Sequence, residues 1–292
     1  MRINRSSAGR IALFVLFAIA ICAVVGYHIY DENFTVRSVP QDQRSREKVI
    51  FFGGEALQIN YDADANPYDR KLFSRDENNY LVYNDPAYDT KLGIDVSYYQ
   101  GDIDWKAVKA AGIDYAIVRV GYRGYTVGGL NKDLFLADNL RGAASAGLDV
   151  GVYMYSQAIS VEEALEEADY VLNLIKNYRV TYPVVYDWEP VYDEESRTND
   201  IDGKTMTDCA IAFCDRIRDA GYTPMIYTYR NQAYLKYELE RLNDYDLWIA
   251  EYNRIPTYYY DYEMIQFTNT GSVPGVSTDV DINLSFRDYA KE

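Results

Sequence analysis

The sequence predicts an α/β protein, an irregular (β/α) barrel of about eight strands, preceded by a transmembrane helix and a short β-rich extension. Three observations carry this. Apolar runs without polar alternation recur from Lys91 onward, as strands buried on both faces require. Amphipathic stretches separate the earlier runs, and strands alternating with helices imply a parallel sheet. About eight such runs can be counted, the number that closes a barrel, but the last ones have little between them, so the helices are lost late in the chain.

The N-terminal elements come first. Residues 1–10 form a short tail with Arg2, Arg5 and Arg10 and no acid. Residues 11–30 (IALFVLFAIAICAVVGYHIY) carry no charge and are long enough to span a bilayer as a helix. The positive-inside rule places the tail in the cytoplasm and everything after Tyr30 outside the cell membrane. The alternative is a secreted protein released by signal cleavage. Ala18-Ile19-Ala20 has the form of a cleavage site but lies inside the run, not at its end. Residues 31–90 read as a polar tether followed by short apolar pieces (VIFF, LQINYD, YLVY) divided by turn residues, which suits a small strand-rich extension.

The barrel is expected over residues 91–289. GIDVS (93–97) precedes a helix near 104–111; YAIVRVG (115–121) precedes one within 131–146; VGVYMYS (150–156) is a buried strand. Ser160 and Glu163 form a capping box for the next helix. In that helix Glu162, Glu163, Glu166 and Glu167 fall off the apolar stripe and read as a solvated face. PVVYDWE (183–189), a helix over 205–220, PMIYTY (224–229) and a helical stretch near 233–239 follow. LWIAEY, MIQF and VDIN close the series.

Composition excludes several chemistries. A net charge of −16 argues against nucleic acid as the ligand, because phosphate binding needs a basic surface. The single histidine, His28, sits in the apolar N-terminal run, which excludes a histidine base or the usual zinc site from the rest of the chain. Cys209 and Cys214 fall on one helix, facing different sides, and read as small buried hydrophobes. No metal and no cofactor is expected, which leaves catalysis to Asp, Glu, Tyr or Lys.

In such barrels reactive residues sit at the C-terminal ends of strands. Asp95, Tyr155, Asp187, Glu189, Tyr227, Tyr229, Glu251 and Asp281 all read as late in their runs. Residues two apart on a strand face the same side, so Asp187 and Glu189 would enter one mouth. Like charges so close raise the proton affinity of one partner, giving a general acid beside an ionised carboxylate. A lone D-x-E is a weak signal that helix capping can also explain. Asp95 and Asp281, in runs that otherwise look buried, strengthen it, since burying several acids together is costly.

GIDVSYYQGDIDW (93–105) resembles the opening of glycoside hydrolase family 25 lysozymes, and VVYDWEP resembles their central D-x-E strand. LWIAEY, IQF and VDIN resemble the family's later W-x-A-x-Y, I-x-Q-[YF] and V-D-x-N strands, in the same order. The resemblance implies retaining hydrolysis of the β-1,4 bond between N-acetylmuramic acid and N-acetylglucosamine, with peptidoglycan glycan strands as partner. It implies Glu189 as acid/base, Asp187 as support for the acetamido group or the developing positive charge, and Asp95 and Asp281 as flanking acids. Many relatives carry a histidine after the first strand's serine and another in the third strand; here Tyr98 and the stretch Tyr153 to Ser156 replace them. With 31 tyrosines in the chain, Tyr98, Tyr122, Tyr155, Trp188, Tyr229, Trp248 and Tyr252 are candidates to line a saccharide groove, with Gln266 bonding sugar or acid. Two other readings stay open: a non-catalytic glycan-binding barrel scaffolding a wall-associated assembly, and a hydrolase of chitin-like N-acetylglucosamine polymers.

Overall fold

The computed structural model describes residues 36–38, 48–52 and 55–291. The expected membrane span, residues 11–30, lies outside them, as does the tail. Among the described residues no helix is long and apolar enough to cross a membrane. The chain divides into two compact units, Met1–Tyr61 and Asp62–Glu292, so the expected extension over residues 31–90 is split between them. In the first unit, β1 (Val36–Ser38), β2 (Lys48–Phe52) and β3 (Glu55–Gln58) form an antiparallel sheet in that order.

The second unit is a closed barrel. Its strands are β6 (Lys91–Val96), β7 (Tyr115–Arg123), β9 (Asp149–Ser156), β10 (Val184–Trp188), β11 (Pro224–Tyr229), β12 (Asp246–Ala250), β13 (Met264–Gly271) and β14 (Val280–Ser285). They pair in the order β6-β7-β9-β10-β11-β12-β13-β14, and β14 returns to β6 to close the ring. All neighbours are parallel except β14, which runs antiparallel to both β13 and β6. The eight residues between β13 and β14 (272–279) explain this: a parallel return needs a crossover of a dozen residues or more, and a short link makes a hairpin.

Helices α1 (Trp105–Ala110), α2 (Leu136–Ser145), α3 (Val161–Ile175), α4 (Gly203–Asp219) and α5 (Arg230–Leu235) fill the earlier connections. Asp202 caps α4 by accepting from Thr205 N at 2.7 Å. The α3 cap differs slightly from expectation. Ser160 accepts from Glu163 N, but the Glu163 carboxylate reaches one residue further back, to Ile159 N at 3.0 Å. The helix expected within 131–146 is α2, and the residues just before it form a strand: β8 (Leu130–Lys132) folds back on β7 as a hairpin. The acidic face of α3 is also more than a solvated surface. Glu167 is fully buried against Arg123 at 2.6 Å, Glu166 holds the same guanidinium at 2.8 Å, and Glu163 holds Arg197 at 2.5 Å.

Inside the barrel, Tyr115, Ile117, Val185, Met225, Trp248 and Met264 pack with Tyr182 and Tyr289 into one core cluster. The Tyr115 ring lies so close to Gly93 that a Cβ there would stand 2.2 Å from it, so β6 needs glycine at that point. Residues 62–90 cover the barrel's flank with a small hairpin, β4 (Phe73–Arg75) and β5 (Leu81–Tyr83). Tyr68 stacks on Phe286 with ring centroids 3.9 Å apart and donates its hydroxyl to Tyr262 O at 2.8 Å. Arg75 donates to the carbonyls of Asn253 and Arg254, strapping the hairpin to the segment after β12.

Candidate active site

Parallel strands deliver their C-terminal ends to one mouth, where a cavity of about 260 Å³ opens. Asp95 near the end of β6, Tyr153 and Tyr155 on β9, Asp187 and Glu189 at the end of β10, Tyr227 on β11 and Gln266 on β13 line it, with Tyr252 and Arg119. The D-x-E pair enters together, as the two-residue period of a strand requires. Asp281 joins them by a different route from the one expected. It is the second residue of β14, not a late one; because β14 is antiparallel, its start lies where the other strands end, opposite Asp95 in register.

A hydrogen-bond relay fixes Asp95. Trp248 Nε1 donates to Asn283 Oδ1 at 3.0 Å, and Asn283 Nδ2 donates to Asp95 Oδ2 at 2.9 Å. Tyr252 and Tyr227 hydroxyls donate to Gln266 Oε1 at 2.6 and 3.1 Å, and Gln266 Nε2 donates to the same Asp95 oxygen at 3.0 Å. Each amide is thereby oriented from behind. Burial still pushes Asp95 up to about 6, with these two amide hydrogen bonds opposing it.

The other acids are raised as well. Asp281 is pushed up to about 8 by burial, then by the charges of Asp95 and Glu189. Asp187 is raised well above the carboxylate range by burial, with Glu189 and Asp95 adding and Arg119 opposing. Its Oδ1 is buried with no hydrogen-bond partner. Glu189 is raised by burial, with Asp95 adding and the Tyr227 hydroxyl opposing. Burial, with mutual repulsion added, thus raises all four carboxylates of the mouth above the range of exposed acids.

Arg119 is a member of the site that the sequence reading missed. Among the described residues it is the one Lys or Arg lining the cavity. Its Nε donates to Asp133 Oδ2 at 2.8 Å, and its guanidinium stands 5.1, 5.4 and 5.6 Å from the rings of Tyr98, Tyr99 and Tyr122. An arginine inside the otherwise apolar YAIVRVG run was the available signal. Tyr99, Ser97, Gln100 and Asn269 also line the cavity and were not singled out.

Several expected sugar-contact residues are placed otherwise. Trp188 does not line the cavity: its neighbours Asp187 and Glu189 face in, so it faces out, buried, with its indole N–H donating to Ala158 O at 3.1 Å. Trp248 and Gln266 line the cavity but spend their polar atoms on the Asp95 relay. Tyr98, Tyr122 and Tyr229 stand outside the cavity's lining. Glu251 is buried away from it, paired with Arg230 at 2.6 Å and accepting from Thr257 N and Tyr258 N, which makes it an anchor for the segment after β12. Cys209 and Cys214 are free and buried on α4. Among the described residues no group of three or more His, Cys, Asp or Glu is arranged to hold a metal ion.

A barrel with an inward D-x-E pair at its carboxyl mouth is the construction of a barrel glycoside hydrolase. Residues 94–276 match the model of Glycosyl hydrolases family 25, and the chain belongs to that family. It is 29% identical over 193 residues to the autolytic lysozyme of Clostridium acetobutylicum, covering 65% of this chain and 54% of that one. It is 35% identical over 78 residues to lysozyme M1 of Streptomyces globisporus, covering 27% of this chain and 24% of that one. The chain therefore spans about half, or less, of the length of these curated relatives. Among solved structures it is similar to the modular autolysin LytC of Streptococcus pneumoniae in complex with a synthetic peptidoglycan ligand, at 26% identity and a TM-score of 0.61, over 82% of this chain and 56% of that one. The family 25 glycosyl hydrolase of Bacillus anthracis, at 21% identity and a TM-score of 0.58, shares the fold over 70% of this chain and 92% of that one.

Proposed function

We propose that the protein is a muramidase that hydrolyses the β-1,4 bond between N-acetylmuramic acid and N-acetylglucosamine in peptidoglycan, in cell-wall remodelling. The observation that carries this reading is the Asp187–Glu189 pair, inward-facing on one strand end beside Asp95 and Asp281, in a cavity with one cation. The family and the likeness to an autolysin bound to a peptidoglycan ligand support the choice of glycan.

The electrostatics divide the labour. Like charges and burial make Asp187 and Glu189 hold a proton between them. Burial alone raises Asp187 at least as far as Glu189; Arg119, together with the acetamido N–H that Asp187 accepts from bound substrate, favours the charge on Asp187 and leaves the proton on Glu189 in the complex. Glu189 then protonates the glycosidic oxygen as the C–O bond breaks. The substrate's own acetamido oxygen closes on the anomeric carbon, and the unpartnered Asp187 Oδ1 accepts the acetamido N–H and supports its growing positive charge. Glu189, now ionised, takes a proton from the water that opens this intermediate. Asp95, raised only to about 6 and held by two amide donors, contributes negative potential around the same centre, and Asp281 adds to it only above about pH 8.

Residues 11–30 serve in this reading as a single-pass anchor, holding the barrel on the outer side of the cell membrane with the N-terminus in the cytoplasm. Protease added to intact spheroplasts should then degrade the barrel; protection would contradict that placement. The substrate is tested by comparing reducing ends released from purified peptidoglycan and from chitin oligomers. The proposal expects release from peptidoglycan in clear excess. Equal or greater release from chitin, or glycan binding with no release from either, would replace it.

A further inference from the structure

The end of β10 is held from both sides by buried side-chain amides that no step above uses. Gln157, immediately after β9, is fully buried; its Nε2 donates to Glu189 O at 2.6 Å and to Ser156 O at 2.7 Å. Its own Oε1 accepts from the Thr198 hydroxyl at 3.3 Å, which orients the amide. On the other flank Gln232, buried in α5, donates Nε2 to Trp188 O at 2.8 Å. Two consecutive carbonyls, at the point where the strand leaves the sheet, are therefore capped by glutamines from the two neighbouring βα connections.

Two more restraints meet at the same residues. The Trp188 indole is tied to Ala158 O, in the segment that carries Gln157. Pro190 follows Glu189 and confines it to extended backbone. Glu189 lies one residue beyond the last ladder pair, Trp188 with Ser156, so the sheet does not fix its two soft dihedrals, and these set where its carboxyl points. Buried carbonyls also require a partner, so the glutamines satisfy the peptides and fix them in one operation.

We propose that Gln157 and Gln232 are positioning residues that clamp the Trp188–Glu189 backbone, so that the Glu189 carboxyl is aimed into the cavity. The proposal rests on the muramidase reading for its kinetic consequence, but its structural consequence can be read without turnover. Neither glutamine touches substrate; both act through Glu189.

The test replaces Gln157 with Met, which keeps length and burial but has no donor, and does the same at Gln232. For Gln157→Met in the full chain, kcat on peptidoglycan should fall by roughly 10- to 100-fold, the scale of a small misplacement of a reacting group, with KM within about twofold. Asp202→Ala, which removes the cap hydrogen bond from Thr205 N and no bond to β10, Gln157 or Gln232, controls for general loss of stability and should lower Tm while leaving kcat unchanged. The second readout is a carbon-13 NMR titration of the glutamate carboxyls, with Glu189 assigned by its loss in Glu189→Gln. In Gln157→Met the Glu189 midpoint should move down toward the ordinary glutamate value by about half a unit or more, as the carboxyl escapes its buried position. A folded Gln157→Met with wild-type kcat and an unmoved Glu189 midpoint would overturn the clamp. If the wild-type protein cleaves no peptidoglycan, the muramidase reading fails, and the titration still decides the clamp.

Discussion

Two acid-rich regions of this molecule behave in opposite ways. On α3, Glu163, Glu166 and Glu167 crowd one side of a helix, but each meets a guanidinium from Arg123 or Arg197. At the barrel mouth, Asp95, Asp187, Glu189 and Asp281 share one cavity, and the single arginine lining it is already engaged by Asp133. Glu163 consequently sits below its ordinary value, lowered by Arg197, Ile159 N and Arg123 against the effect of burial. The mouth acids all sit above theirs. Acid density alone distinguishes nothing; the supply of cations relative to the loss of water does. Glu167 shows the limit, since complete burial pushes it up to about 7 even against Arg123.

The largest effect expected from breaking this contrast lies in the mouth. Asp187→Asn should lower turnover by roughly 10²–10³-fold, the scale of losing one electrostatic contact made in the transition state. Glycan affinity should change much less, because the charge matters most once the sugar becomes positive. Separate measurement of kcat and of binding to non-hydrolysed fragments checks this; parallel losses in both would make Asp187 a binding residue only.

The next effect concerns a paired acid. Glu251 and Arg230 are buried together, so Arg230→Met should leave an uncompensated carboxylate and cost about 3–5 kcal/mol of stability. Urea unfolding measures it, and a loss under about 1 kcal/mol would mean that the pair is not effectively buried.

A smaller effect follows from pH. Asp281 binds its proton at about 8 when folded, against about 4 when unfolded. Between those values the folded state holds more protons, so this site's contribution is fully favourable below pH 4 and is lost as pH rises toward 8. Asp281→Asn, which cannot ionise, should therefore raise Tm at pH 8 by about 3 °C or more, with a narrower gap at pH 5. A lower Tm at pH 8 would show that the ionised form is compensated in place. The smallest effect is expected on α3, where exposed Glu166 shares its guanidinium with Glu167. Glu166→Gln should leave turnover unchanged and alter stability by about 1 kcal/mol or less.

Much of the fold was legible because strand burial writes itself as unbroken apolar runs. PMIYTY became β11 at its expected bounds, and YAIVRVG, VGVYMYS and VVYDW each became barrel strands. The hairpin β8 was not legible, because three residues of antiparallel pairing carry no periodicity. In the site, period two brought Asp187 and Glu189 together, and the same rule, applied once more, places Trp188 outside. Asp281 was legible as an acid in a buried run, yet its position depends on a strand reversal that only the short link before it foreshadows. Gln157 and Gln232 left no signal at all: what they hold is backbone, and backbone contacts across neighbouring strands have no residue signature.

The central claim is that Glu189 carries the transferable proton, and Glu189→Gln tests it most directly. The amide keeps the size and the neutrality of the protonated side chain but cannot transfer a proton to the glycosidic oxygen. With circular dichroism and Tm confirming a folded protein, hydrolysis of purified peptidoglycan should fall by roughly 10²–10⁴-fold while glycan binding persists. A folded Glu189→Gln that still cleaves peptidoglycan at close to the wild-type rate would contradict the account.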